Sequence, residues 1–291
     1  MALIQSGTPI SPRAAVLFYF AAANRTIEIQ PDFGDKLAMP YLDRDSVHIY
    51  YEEHGRGPAV LLSHGYSASA RMWDGQFEAL SDRYHLIGWD MRGHDRSDSP
   101  DDPSLYSHEL SVADMAAVLD ACNADRAVIG GLSLGGFMSL AFHLAHPDRT
   151  AALMLFDTGP GYKKLDGREA WNRLADGMAR AYEKNGLASA GTSAEVSLAQ
   201  HRSAAGLAHS ARGMLAQKDG RVIESLPAIA LPTLVLVGAN DEQFRPSADY
   251  MAAKIPGAEK VILERAGHAA NIDEPAAFNA TVRAFLDRVT A

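Results

Sequence analysis

Cysteine is almost absent from this chain. Cys122 is alone among 291 residues, so no internal disulfide and no cysteine-based zinc site can form. No apolar run approaches the roughly 18 residues needed to span a bilayer. Long basic runs are missing as well: Lys and Arg total 27 against 36 Asp and Glu, a formal net charge of −9. Such an acidic balance argues against nucleic acid or an anionic membrane as the main partner. There is no internal repeat and no low-complexity linker. What remains is ordinary for a globular protein with a sizeable core, 47% hydrophobic and 22% charged. The length suits one large α/β domain or two smaller ones. The expectation from these absences is a soluble, cytoplasmic protein.

One segment stands against that expectation. Ala14 to Ala23 is an apolar stretch behind Arg13 with small residues at its end, as in the core of a secretory signal. It reads equally as a tail, as a short helix on the body of the protein, or as sequence ahead of a true start at Met39. Secretion through residues 1–23 therefore stays open, and residues 1–38 are treated as an N-terminal extension outside the fold argument.

From Val47 onward strands and helices alternate. Val47 to Glu52 is β-branched and aromatic, and Gly55-Arg56-Gly57-Pro58 punctuates it. Ala59 to Leu62, Tyr84 to Trp89, Arg126 to Ile129, Ala151 to Phe156, Thr233 to Val237 and Lys260 to Leu263 are further strand candidates. Helical patterns fall on Arg71 to Ser81, Leu110 to Cys122, Phe137 to Ala145 and Pro275 to Val289, the last with Pro in its first turn. Short apolar runs between helices predict an α/β fold with a mostly parallel sheet covered on both faces. The rhythm breaks between Gly159 and Ile229, where Arg168 to Lys184 and Ala194 to Gln217 are rich in helix formers. The expected organisation is a core of residues 39–159 and 230–291 with a helical cap inserted at 160–229.

The chemistry centres on Gly131-Leu132-Ser133-Leu134-Gly135, where a buried strand ends and a helix begins. By chance alone a G-x-S-x-G match has an expectation of ~0.1 in a chain of this composition, so the setting carries the weight. Small residues on both sides permit a sharp, strained turn that lifts the serine hydroxyl above the sheet. A serine hydroxyl needs a base to become a nucleophile. Of 11 histidines, His268 is singled out by its place in the loop between a sheet strand and the last helix, where α/β sites collect. The third member should be a carboxylate that fixes the histidine tautomer. Asp241 stands just beyond the strand Thr233 to Val237, and the order Ser133, Asp241, His268 suits this architecture. Asp157, after the strand Ala151 to Phe156, is the competing carboxylate.

Taken together these residues resemble the α/β-hydrolase superfamily, and within it the enol-lactone hydrolases, small esterases and cofactor-free haloperoxidases. The resemblance covers nearly everything from Met39 onward. It rests on Ser63-His64-Gly65, Asp90-Met91-Arg92-Gly93-His94, the elbow at Ser133, Pro232 to Asp241 and Ala266-Gly267-His268. It implies an α/β-hydrolase fold, no metal and no organic cofactor. It also implies an oxyanion hole from the backbone N–H groups of Tyr66 and Leu134, with His64 bracing that loop. Asp241 is favoured over Asp157 as the acid because Asn240-Asp241 matches the commoner arrangement. The chain departs from the family at Arg92-Gly93-His94-Asp95-Arg96-Ser97, where Asp95 replaces a turn glycine. Aspartate tolerates left-handed geometry better than most residues, so the turn is expected to survive.

The activity implied is hydrolysis of a carboxylic ester or lactone through an acyl-enzyme on Ser133. Cleavage of a C–C bond in ring-cleavage products, or perhydrolysis giving haloperoxidase activity, would use the same scaffold. A small-molecule receptor that keeps the triad is the non-enzymatic rival. The partner expected is a small molecule with a small, largely apolar acyl group, not nucleic acid or membrane, and the apolar cap could serve as a homodimer contact. Trp171, Tyr182, His201 and His209 are the cap's candidate pocket residues.

Overall fold

The computed structural model describes residues 41–291. The apolar segment Ala14 to Ala23, the alternative start at Met39 and the extension 1–38 lie outside the described residues. Eight strands form one sheet in the order β1-β2-β4-β3-β5-β6-β7-β8. They are β1 (Tyr41–Arg44), β2 (Val47–His54), β3 (Ala59–Ser63), β4 (His85–Trp89), β5 (Ala127–Leu132), β6 (Thr150–Phe156), β7 (Thr233–Gly238) and β8 (Glu259–Leu263). Strands β1 and β2 form an antiparallel hairpin, β2 pairs antiparallel with β4, and every other pairing is parallel. The hairpin turns on Asp45 and Ser46 at φ 55 and 68, left-handed values that match the twist of the paired strands.

The central strands are apolar along their whole length because helices cover both faces. In β7 every residue is buried, and the two-residue alternation sends neighbours to opposite sides. Leu234 and Leu236 join a core with Val128, Met154 and Phe156. Val235 and Val237 join the other core with Ile129, Leu153 and Leu155. The first core is closed by α1 (Asp74–Leu80) through Phe77 and Leu80, and by α10 (Pro275–Val289) through Phe278, Val282 and Phe285. The second is closed by α2 (His108–Ala121), α3 (Leu134–Ala145) and α8 (Arg245–Lys254) through Met115, Leu119, Met138, Phe142 and Met251. At the sheet edge, β8 opens with exposed Glu259 and Lys260, charges that discourage further strand pairing.

Between β6 and β7 the cap stretch holds α4 (Leu165–Asn185), α5 (Ala194–Ser197), α6 (Ala204–Ser210) and α7 (Arg221–Ser225), with a π-turn at Ala211–Leu215. The helix-forming run 194–217 is thus broken rather than continuous. Its break at 200–202 is held by bonds to the sheet loops. Helix α9 (Ala270–Asp273) completes the set after β8. Two boundaries differ from the sequence reading: α3 begins at Leu134 rather than Phe137, and the helix expected from Arg71 divides into a 3-10 turn, Ala70–Trp73, followed by α1. No helix among the described residues is long and apolar enough to cross a membrane.

Candidate active site

The loops after β3, β5, β6, β7 and β8 carry, in turn, Tyr66, Ser133, Asp157, Asp241 and His268. These ends all lie on one side of the parallel sheet, the side where α/β folds gather ligands. Ser133 sits at φ 55 and ψ −116, a conformation that costs a non-glycine residue about 1–3 kcal/mol. Its neighbours hold it there. The Ser133 N–H donates to the Phe156 carbonyl at 3.0 Å, and its own carbonyl accepts from Phe137 N–H at 3.1 Å and from Thr158 Oγ1 at 2.5 Å. The flanking glycines are a steric requirement: a Cβ on Gly135 would lie 2.1 Å from the Ser63 carbonyl oxygen, and one on Gly131 2.4 Å from the Gly135 carbonyl carbon.

His268 Nδ1 meets Asp241 Oδ2 at 2.7 Å. A carboxylate oxygen can only accept here, so Nδ1 carries the proton and Nε2 is left as the basic nitrogen. Phe244 stacks on the imidazole, ring centroids 5.0 Å apart, and fixes its plane. Burial works to lower the His268 pKa, but the hydrogen bond and charge of Asp241 outweigh it, and the net shift is upward from the ordinary imidazole value. Glu195 of α5, buried and with Oε2 unpartnered, adds to that field.

Asp157 is placed differently. It is buried at φ 44, with Oδ1 accepting the Gly238 N–H at 2.8 Å and Oδ2 without a partner. Burial pushes its pKa up to about 8. At neutral pH it therefore holds its proton, and the carboxylate bonded to His268 is that of Asp241.

The loop after β3 is braced by three histidines. His64 Nδ1 lies 2.7 Å from the Gly65 carbonyl, and its Nε2 accepts the Met91 N–H at 2.9 Å. His94 Nδ1 faces the Arg92 carbonyl, while Nε2 accepts the Ser67 N–H at 3.2 Å. His201, from the cap, accepts the Asp95 N–H and donates to the Ser67 carbonyl at 2.8 Å. Each ring uses one nitrogen as donor and one as acceptor, so each is neutral in this arrangement. Burial lowers the pKa of His64 and carries that of His94 well below the ordinary value. No protein acceptor faces the N–H of Tyr66 or Leu134 among the described residues.

The turn at Asp95 survives, with φ 36. Its side chain does more than tolerate that geometry. The carboxylate pairs with Arg71 at 2.9 Å and accepts the Gln200 N–H at 3.2 Å, while Arg202 Nε donates to the Asp95 carbonyl at 2.9 Å. The cap is thereby tied to the sheet loops at the break in its helices.

Above Ser133 lies a cavity of about 40 Å³, lined by Leu134, Phe137, Thr158, Trp171, Leu215 and Phe244 among others. The four cap candidates divide. Trp171 lines this cavity and donates from Nε1 to the Leu215 carbonyl. Tyr182 bonds the Ser67 hydroxyl at 2.8 Å, His201 braces the same loop, and His209 packs against the Tyr106 ring.

A family model described as alpha/beta hydrolase fold matches residues 58–221. The chain belongs to the α/β-hydrolase family. It is 29% identical over 250 residues to a putative 2-succinyl-6-hydroxy-2,4-cyclohexadiene-1-carboxylate synthase of Bacillus subtilis, covering 79% of this chain and 91% of that one. It is 28% identical over 241 residues to 3-oxoadipate enol-lactonase 1 of Acinetobacter baylyi, covering 76% and 85%. A thermophilic esterase from Thermogutta terrifontis superposes with a TM-score of 0.72 at 27% identity, over 87% of this chain and 98% of that one. The protein is thus an α/β-hydrolase of the group that contains enol-lactonases and small esterases.

Three residues of this hydrolase's site had no signal in the sequence reading. Phe244 stacks on the candidate base, Glu195 of the cap adds its negative charge to the field there, and Phe137 walls the cavity over the serine. Phe244 lies three residues beyond Asp241, and the N–H of Phe244 donates to the Asp241 carbonyl at 3.2 Å. That short loop is the one local clue available for it.

Proposed function

We propose that the protein hydrolyses a carboxylic ester or lactone through an acyl-enzyme on Ser133. The 2.7 Å bond between His268 and Asp241 carries this reading, because it leaves Nε2 as the basic nitrogen at the sheet end that also presents the strained Ser133. Ser133 Oγ attacks the substrate carbonyl as its proton passes to His268 Nε2. Asp241 keeps Nδ1–H in place and stabilises the imidazolium. The tetrahedral oxyanion takes the N–H groups of Tyr66 and Leu134, a contribution that in acyl transfer often exceeds any other single one. The alcohol departs with the proton held on Nε2. His268 then takes a proton from water as its oxygen attacks the acyl carbon, and returns that proton to Ser133 Oγ as the acid leaves.

His268 bonds Asp241 through Nδ1, and no hydrogen bond joins its Nε2 to Ser133 Oγ. Such bonds commonly tighten only when substrate is bound. Similarity to an esterase and to an enol-lactonase supports the ester or lactone class. The small cavity over Ser133 fits a short acyl group, since about 10–15 Å³ of this kind of space holds one water-sized group.

The test is turnover of p-nitrophenyl esters from acetate to decanoate by wild type and Ser133→Ala, beside an enol-lactone. Steady turnover that disappears in the variant is expected. Labelling of Ser133 by a phosphonate with no turnover of any ester or lactone would refute the substrate class and turn attention to C–C cleavage, perhydrolysis or a receptor.

A further inference from the structure

A second cavity, of about 340 Å³, lies in the groove between α2, α3 and α7. Its lining is largely aliphatic, with Val112, Ala113, Ala141, Leu144, Ala145 and Val222, beside the imidazoles of His108 and His146. Positions 137, 141, 144 and 145 follow helical spacing, so they form one face of α3 turned toward the groove. Charged residues Glu109, Asp219 and Arg221 stand at its rim and pair with one another. The nucleophile's cavity and this groove share one residue. Phe137 lines both.

We propose that the Phe137 ring is the partition that sets the acyl-chain limit of this enzyme, separating a short acyl site over Ser133 from a groove able to take a medium-length alkyl chain. This rests on the acyl-enzyme reading above. Three observations support it. The groove offers roughly eight times the space of the cavity over Ser133. Phe137 sits one helical turn beyond the serine, its backbone N–H bonded to the Ser133 carbonyl, and its side chain lines the cavity that Ser133 also lines. It is also held in place: the His108 ring packs on it at 5.0 Å, and His108 Nε2 donates to the Met214 carbonyl of the cap at 2.8 Å. The partition therefore links α3, the start of α2 and the cap, and leaves the ring little freedom to swing aside. In Phe137→Ala the side chain shared by the two linings would shrink to a methyl group.

The experiment compares wild type, Phe137→Ala, the milder Phe137→Leu, and Phe137→Ala combined with Ala141→Phe, which refills the groove. Folding is checked by thermal melting. In the ester series, wild type should lose at least tenfold in kcat/KM between butyrate and octanoate. The octanoate-to-acetate ratio should rise at least tenfold in Phe137→Ala and by a smaller factor in Phe137→Leu, and return toward wild type in the double variant. A ratio within twofold of wild type in folded single variants overturns the proposal, as does a gain that Ala141→Phe leaves untouched. A parallel arm needs no catalysis. With Ser133→Ala in every protein, decanoate should bind at least tenfold more tightly when Phe137 is Ala, and butyrate should not. Absence of ester turnover by wild type would refute the hydrolase reading, while decanoate binding would still decide the partition.

Discussion

Replacing Asp157 with Asn should stabilise the protein, and increasingly so as pH rises. The carboxyl is buried, one oxygen bonded to the Gly238 N–H and the other unpartnered, and it titrates near 8 where an unfolded chain would titrate near 4. Between those two values the folded state holds a proton that the unfolded state has released. Stability must then fall with rising pH, by about 1.4 kcal/mol per unit. From pH 5 to pH 8 the accumulated loss is about 4 kcal/mol. Asparagine keeps the acceptor for Gly238 and places an unpartnered N–H where the protonated acid has an unpartnered O–H, so the hydrogen-bond terms nearly cancel. The advantage of Asp157→Asn over wild type should therefore grow by about 4 kcal/mol across that range, about 7 °C in Tm for a chain of this size. Thermal melts of both proteins in matched buffers at half-unit steps measure it. A difference that stays flat to within 1 kcal/mol, or a wild type that is the more stable at pH 8, would refute the placement of this acid. Activity gives a second reading: Asn resembles the neutral acid, so kcat/KM at pH 7 should remain within about tenfold of wild type.

Asp241→Asn should behave in the opposite way, losing about 10³–10⁴ in kcat/KM because His268 loses the partner that fixes its tautomer. For wild type, kcat/KM should fall as pH drops through a value above the ordinary imidazole range, since His268 must be neutral to act and its pKa is raised; in any residual Asp241→Asn activity that midpoint should move down. His64 and His94 are neutral when folded and protonated when unfolded below about pH 6.5. Each makes stability fall by up to about 1.4 kcal/mol per unit as pH drops below 6.5, and denaturant melts should show a shallower acid slope in His94→Gln. Asp95→Ala should be about 1 kcal/mol less stable than Asp95→Gly, because only glycine adopts the left-handed φ freely. Both should speed proteolysis at 198–203, where the cap loses its anchor; equal cleavage rates to wild type would contradict the anchoring role.

Much of the fold could be read from the chain because its signals are local. A buried parallel strand such as β7 is a continuous apolar run, and the elbow is a five-residue pattern whose glycines are forced by backbone contact. The two ends of the candidate site, Ser133 and His268, stand at strand ends that such runs reveal. Helix α8 escaped because only Ala248 and Met251 are buried in it, too narrow a stripe to mark a period. The start of α3 escaped because Leu134-Gly135-Gly136 has poor helix propensity, which tertiary contact with the β3 end overrides.

What could not be read is what depends on distance in the chain. Asp157 and Asp241 are both carboxylates just past neighbouring strands; the resemblance at Asn240-Asp241 favours the second, but the local sequence does not show which of them meets His268. The structure separates them by environment: one carboxylate is bonded to an imidazole, the other is enclosed with a backbone N–H and an unpartnered oxygen. Asp95 shows the same limit. Read locally it is an imperfect substitute for a turn glycine, a residue that costs stability. Its partners Gln200 and His201 lie more than a hundred residues later, at the point where a stretch of good helix formers is broken. The two anomalies explain each other. The backbone N–H of Gln200 is given to the Asp95 carboxylate instead of to a helix, and the strained turn is held by the cap it anchors. An odd residue in a turn and an unexpected break in a helix, each weak evidence alone, are two ends of one interaction.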